Sequence, residues 1–79
     1  MKKITLLTSK ICGPSVMLRN KLEDADIKIE ALEILDNIVI AKKYGIRSVP
    51  RLIVEEESGE FEVIQGTDYI VQAIKDNQL

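Results

Sequence analysis

Ile4-Thr5-Leu6-Leu7-Thr8-Ser9-Lys10-Ile11-Cys12-Gly13-Pro14 is the stretch on which the fold turns. Ile4 to Leu7 is a short apolar run with β-branched members, which predicts a strand. It stops at Ser9 to Pro14, where Gly and Pro punctuate the chain and predict a turn. Pro14 then suits the first turn of a helix, where its missing N–H has no intrahelical partner to lose. Beyond it Met17, Leu18, Leu22 and Ala25 recur at helical spacing, while Arg19, Asn20, Lys21, Glu23 and Asp24 face water. The order is strand, turn, helix, with a cysteine in the turn.

Farther along the chain, Ile27 and Ile29 fall on one parity and Leu32 and Ile34 on the other. That pattern predicts a strand covered on both faces, of the parallel and central kind. Asp36 is placed to cap a helix with apolar members Val39, Ile40 and Tyr44, Lys42 and Lys43 in its last turn and Gly45 just beyond. Arg51 to Glu55 and Phe61 to Ile64 read as two strands of an antiparallel hairpin, joined by the charged loop Glu56-Glu57-Ser58-Gly59-Glu60. Gly66 breaks the second of them. Thr67 is placed to cap a last helix with Asp68 in its first turn, Ile70, Val71 and Ile74 inward and Lys75 near its end.

The reading is βαβαββα, an α/β fold. A right-handed crossover makes the first two strands parallel. The simplest packing is a four-stranded mixed sheet flanked by three helices, the first and third on one face and the second on the other. With no repeat, low-complexity tract or linker, residues 1–79 form a single domain.

Composition removes several classes of function. The 79 residues are 46% apolar and 30% charged, with 11 Lys or Arg against 13 Asp or Glu for a net charge of −2. A chain this short buries only about 60% of its unfolded surface, so it needs a dense core, a staple or a partner. One cysteine excludes an internal disulfide, and zero histidines together with that single cysteine exclude zinc fingers, His-based metal sites, Ser-His-Asp triads and Cys-His pairs. No metal or cofactor is expected. The charge balance and the scarcity of aromatics argue against nucleic acid. Apolar stretches such as Ile38-Val39-Ile40-Ala41 are far shorter than the roughly 20 residues of a membrane span. Met1-Lys2-Lys3 resembles the start of a signal peptide, but Thr5, Thr8, Ser9 and Lys10 interrupt the apolar region and no small-residue cleavage site appears. The expected location is the cytoplasm, where thiols stay reduced.

Cys12 is the candidate for chemistry. A thiol reacts as its thiolate, and the unpaired N–H groups and positive dipole end of a helix start stabilise that anion. Gly13 and Pro14 shape the turn, Gly allowing a bound chain to approach and Pro presetting the first helical dihedral. Ser15 is spaced for its hydroxyl or its N–H to reach back and donate a hydrogen bond to the sulfur, but it cannot form a disulfide. The plain alternative is a packing cysteine, since free cysteines are among the most buried residue types. Such a residue needs neither the turn nor the helix start, which favours the reactive reading. Lys10, Arg47 and Arg51 are the nearest sources of positive charge, though residues of these types are mostly solvated. Val49-Pro50 starts a strand, as a strand-edge terminus or a cis bond, trans being the usual state.

Together these residues resemble the thioredoxin family, in its small thioredoxin- or glutaredoxin-like form, over essentially the whole chain. Cys12-Gly13-Pro14-Ser15 is similar to the family's Cys-Gly-Pro-Cys. Lys43-Tyr44-Gly45-Ile46-Arg47-Ser48-Val49-Pro50 resembles the segment leading into its cis-proline loop, and Gly66 matches the glycine after its last strand. The resemblance implies that Cys12 attacks protein disulfides and that the Val49-Pro50 bond is cis and faces it. It also implies that Val49 pairs with an extended substrate, as in strand addition, with Ile11, Pro50 and Gly66 beside it. The implied partners are disulfide-containing proteins and an electron donor, either a thioredoxin-reductase-like protein or a low-molecular-weight thiol, acting on a monomer in electron transport and cell redox homeostasis.

The chain departs from the family where Ser15 replaces the resolving cysteine, Ile11 the usual tryptophan and Arg51 the usual threonine. Leu6 and Ala31 stand where larger thioredoxins keep a buried Asp and Lys. Without a second thiol the mixed disulfide should persist. Either the chain is a natural monothiol variant, or Ser15 is a Cys→Ser change in a dithiol protein. Two other readings compete. One is a glutathione-dependent monothiol glutaredoxin-like protein, against which Pro14 counts. The other is a non-catalytic module holding a peptide around Ile11, Cys12, Val49 and Pro50. Glu55-Glu56-Glu57 reads as a soluble hairpin tip.

Overall fold

The computed structural model describes residues 2–77. Met1, Gln78 and Leu79, which the single-domain and signal-segment readings touched, lie outside the described residues. The elements are β1 (Lys3–Thr8), α1 (Gly13–Asp24), β2 (Ala31–Glu33), a 3-10 turn (Ile34–Asp36), α2 (Ile38–Lys43), β3 (Arg51–Glu55), β4 (Phe61–Ile64) and α3 (Thr67–Asn77).

The strands form one four-stranded sheet in the order β2-β1-β3-β4. β1 runs parallel to β2, with Leu6 opposite Ala31, and antiparallel to β3, with Leu6 opposite Leu52. β3 and β4 form the antiparallel hairpin. The expected α/β architecture is therefore present, a mixed sheet with three α-helices.

Alternation along the central strands builds two cores. Leu6, Leu52 and Val54 point to one face and pack with Leu18 and Leu22 of α1 and Ile70 and Ile74 of α3. Leu7 and Ile53 point to the other and pack with Ala41 of α2 and Ile46. The period of two along β1 and β3 thus sends α1 and α3 to one face and α2 to the other. Each fully buried Leu or Ile contributes about 1.5–3 kcal/mol of transfer free energy.

Several local expectations are corrected. The second strand is a three-residue edge strand, not a central one, because β3 takes the far side of β1. Ile27 and Ile29 cover the first core from irregular chain, which explains why they are apolar without belonging to a strand. Asp36 lies in the 3-10 turn and Asn37 occupies the N-cap of α2, its side-chain amide donating to the Glu33 carbonyl at 2.8 Å. Val39 points to water, 82% exposed, and Ala41 is the buried member instead. Met17 also faces solvent. The first hydrogen bond of α3 runs from the Ile70 N–H to the Gly66 carbonyl at 2.9 Å, so Gly66, not Thr67, is the capping residue.

Two helices end in the same way. After α1 the Ile27 N–H reaches back to the Leu22 carbonyl at 2.9 Å and the Asp26 N–H to Glu23 at 3.0 Å, with Asp26 left-handed at φ 56. After α2 the Ile46 N–H bonds Ala41 at 2.8 Å and the Gly45 N–H bonds Lys42 at 3.2 Å, with Gly45 at φ 69. Both are Schellman motifs, which turn the chain sharply from helix into strand or loop. The second delivers the chain to the cis-proline segment.

Candidate active site

The site lies where β1 ends and α1 begins. Cys12 is the N-cap of α1, extended at φ −95 and ψ 120, and its carbonyl accepts the Val16 N–H at 3.0 Å. Its side chain makes no capping hydrogen bond, so the sulfur is not tied to its own helix. Pro14 sits in the first helical turn, as expected. Gly13 is not required by the turn: its φ is not positive and a Cβ there would meet nothing within 4 Å.

The loop before Cys12 is held from the neighbouring strand. The Lys10 N–H donates to the Glu33 carboxylate, 3.1 Å from Oε2 and 3.4 Å from Oε1. The Ile11 N–H donates to Ser9 Oγ at 3.4 Å, and the Cys12 N–H to the Ser9 carbonyl at 3.3 Å. Ile11 itself projects into solvent, 90% exposed.

From the other side comes the loop between α2 and β3. Its Val49–Pro50 peptide is cis. The half-buried Cys12 thiol donates to the Val49 carbonyl at 3.5 Å. The structure therefore brings Cys12 and Val49 together, with Pro50 buried beneath. Gly66 lies in the β4–α3 turn at φ 98. Lys10 and Arg47 are exposed. Arg51 has its guanidinium folded onto its own loop, donating from Nη1 to the Pro50 carbonyl at 2.7 Å and from Nη2 to Ser48 Oγ at 2.8 Å.

Ser15 behaves differently from the expectation. It is fully buried, and its Oγ has no hydrogen-bond partner, so the hydroxyl does not donate to the Cys12 sulfur. An unsatisfied buried hydroxyl costs about 1–3 kcal/mol. A thiol, a weak donor that packs as a small apolar group, would fit the same place without that cost.

Leu6 and Ala31 are cross-strand partners on β1 and β2, both turned toward the first core. No acid–base pair lies at these positions. No group of His, Cys, Asp and Glu suited to a metal occurs among the described residues. The sequence gives no sign of the Glu33 contact, of the two-pronged hold of Arg51 on its own loop, where only its charge is legible, or of the isolation of the Ser15 hydroxyl.

The structure is similar to that of spinach chloroplast thioredoxin f, with a TM-score of 0.71 over 99% of this chain and 77% of that one, at 23% identity. This is the thioredoxin fold. Oxidised mitochondrial thioredoxin 3 of Saccharomyces cerevisiae gives a TM-score of 0.69 at 22% identity, covering 95% of this chain and 77% of that one. Oxidised thioredoxin of Plasmodium falciparum gives 0.68 at 16% identity, covering 95% and 79%. No protein-family model matches the sequence, and no curated protein does. Within the thioredoxin fold the Cys12 turn occupies the junction of β1 and α1. No helix among the described residues is long and apolar enough to cross a membrane.

Proposed function

We propose that the chain is a thiol–disulfide oxidoreductase whose nucleophile is Cys12. The observation that carries this reading is the placement of a half-buried, uncapped thiol at a helix start, 3.5 Å from the Val49 carbonyl. A peptide laid along Val49 in the manner of an added strand would bring its own disulfide beside that sulfur. Ile11, Pro50 and Gly66 are the proposed flanks of this groove.

In the proposed step the Cys12 thiolate attacks one sulfur of a target disulfide. The Cys12–sulfur bond forms as the target S–S bond breaks, and the electron pair leaves on the other target sulfur, which takes up a proton. Ser15 carries no thiol to complete the exchange. Release then needs two external thiols. The first attacks the Cys12 sulfur, expelling the reduced target and leaving the donor bonded to Cys12. The second attacks the donor sulfur, returning the Cys12 thiolate and leaving an oxidised donor disulfide. The proposed partners are disulfide-bearing proteins and a thiol donor, in the reducing cytoplasm, with the chain acting as a monomer.

The buried, unpartnered Ser15 hydroxyl favours the form of this reading in which a cysteine is the better resident of that position. Intact-mass spectrometry after mixing the reduced chain with a disulfide-bearing peptide tests the proposal. A one-to-one adduct that persists until external thiol is added, and is missing in Cys12→Ser, supports it. No adduct with the unsubstituted chain defeats it and leaves the non-catalytic module.

A further inference from the structure

The segment that meets the Cys12 sulfur has little backbone support of its own. Among the described residues, none of the loop and turn backbone hydrogen bonds falls on residues 47–50, the last before them being that of Ile46 to Ala41. Pro50 has no N–H to give. A single side chain supplies what the backbone lacks. The Arg51 guanidinium holds the Pro50 carbonyl at 2.7 Å through Nη1 and Ser48 Oγ at 2.8 Å through Nη2. Ser48 and Pro50 are the residues on either side of Val49, so one planar group brackets the residue whose carbonyl faces the thiol. Arg51 is itself anchored at the start of β3, opposite Leu7 of the central strand β1.

We infer that Arg51 is a positioning residue for substrate docking: its two-pronged hold on Ser48 and Pro50 keeps Val49 set for pairing with an extended peptide beside Cys12. The fork geometry matters here, and not the charge alone. Two donors in one rigid plane can serve two acceptors two residues apart, whereas a lysine ammonium is a compact point charge on a flexible stem. Loss of the fork frees the loop, and a reacting peptide must then order it on binding. A small disulfide that needs no strand-like pairing is largely spared. This inference rests on Cys12 being the exchange nucleophile.

The test compares the unsubstituted chain with Arg51→Met, Arg51→Lys and Ser48→Ala. Each is mixed under pseudo-first-order conditions with a disulfide-bearing extended peptide and, separately, with neutral dithiodipyridine. Thermal unfolding confirms that each variant is folded. The expected result is a loss of about tenfold in the peptide rate for both Arg51 variants, equivalent to 1.4 kcal/mol. Ser48→Ala, which removes one acceptor, falls between them and the unsubstituted chain. The small-disulfide rate changes less than about twofold, so the ratio of the two rates shifts in a way that general loosening of the fold would not produce. Peptide rates that match the unsubstituted chain overturn the inference. So does full rescue by Arg51→Lys, which would make charge the operative property. An unsubstituted chain that reacts with no disulfide instead overturns the proposed function, so the two failures are distinguishable.

Discussion

The Cys12 thiol and the Val49 carbonyl, thirty-seven residues apart in sequence, meet at 3.5 Å across the end of the sheet. Neither residue is brought there by local structure alone. β1 delivers Cys12 to the start of α1, and the turn after α2, closed by Gly45, delivers the chain to Val49. The consequences are separable by substitution.

Cys12 is a poor N-cap. Its side chain makes no capping bond, although this is the position at which Ser, Thr, Asp and Asn are preferred. Cys12→Ser should therefore raise the unfolding free energy by about 0.5–1 kcal/mol, measured by urea denaturation, while removing all covalent capture. A loss of stability would mean that the packing of the sulfur outweighs the cap that a serine supplies.

Ser15→Ala should stabilise the chain by about 1 kcal/mol, because it removes an unpaired buried hydroxyl without leaving a large void. Ser15→Cys, measured under reducing conditions, should gain a similar amount. It should also release the reduced target without external thiol, since the introduced thiolate can attack the Cys12 sulfur and expel it. Release is followed by intact-mass spectrometry on the reduced variant mixed with a model protein disulfide, with no external thiol present.

The helix ends show how far the sequence was legible. Gly45 after Lys42 and Lys43 announces the end of α2, because a left-handed residue is nearly free for glycine. The identical motif after α1 is carried by Asp26, which has no such signature, so Ile27 and Ile29 looked like the opening of a strand. Apolar spacing correctly placed Leu18, Leu22, Ile70 and Ile74 inward, since these lie over a core that spans the whole helix. It failed for Val39 on the short α2, where Ala41 makes the contact. The cysteine at the helix start was readable from Gly13 and Pro14. The Arg51 fork and the stranded Ser15 hydroxyl were not, because both arise from distances that no periodicity encodes.

Asp26→Gly tests the same comparison of helix ends. Placing glycine at φ 56 relieves the left-handed strain, and should stabilise the chain by about 0.5–1 kcal/mol in chemical denaturation. The gain is limited by the greater entropy of glycine in the unfolded chain.

Gly66 is the opposite case. At φ 98, where a Cβ would lie 3.1 Å from Tyr69 Cδ2, Gly66→Ala should cost about 1–3 kcal/mol. Tyr69 is 75% exposed and can swing aside, so the backbone term should dominate. Repeating the substitution in a Tyr69→Ala background separates the two: nearly the same loss is expected, and a loss that vanishes would assign it to the ring.

The proposed role of Cys12 as an exchange nucleophile is tested most directly by its rate with dithiodipyridine at neutral pH, in the folded chain and in the same chain unfolded in urea. Activation by the helix start predicts a folded rate at least about fivefold above the unfolded one. A folded rate equal to or below the unfolded rate, as for a cysteine that merely packs, would contradict the account.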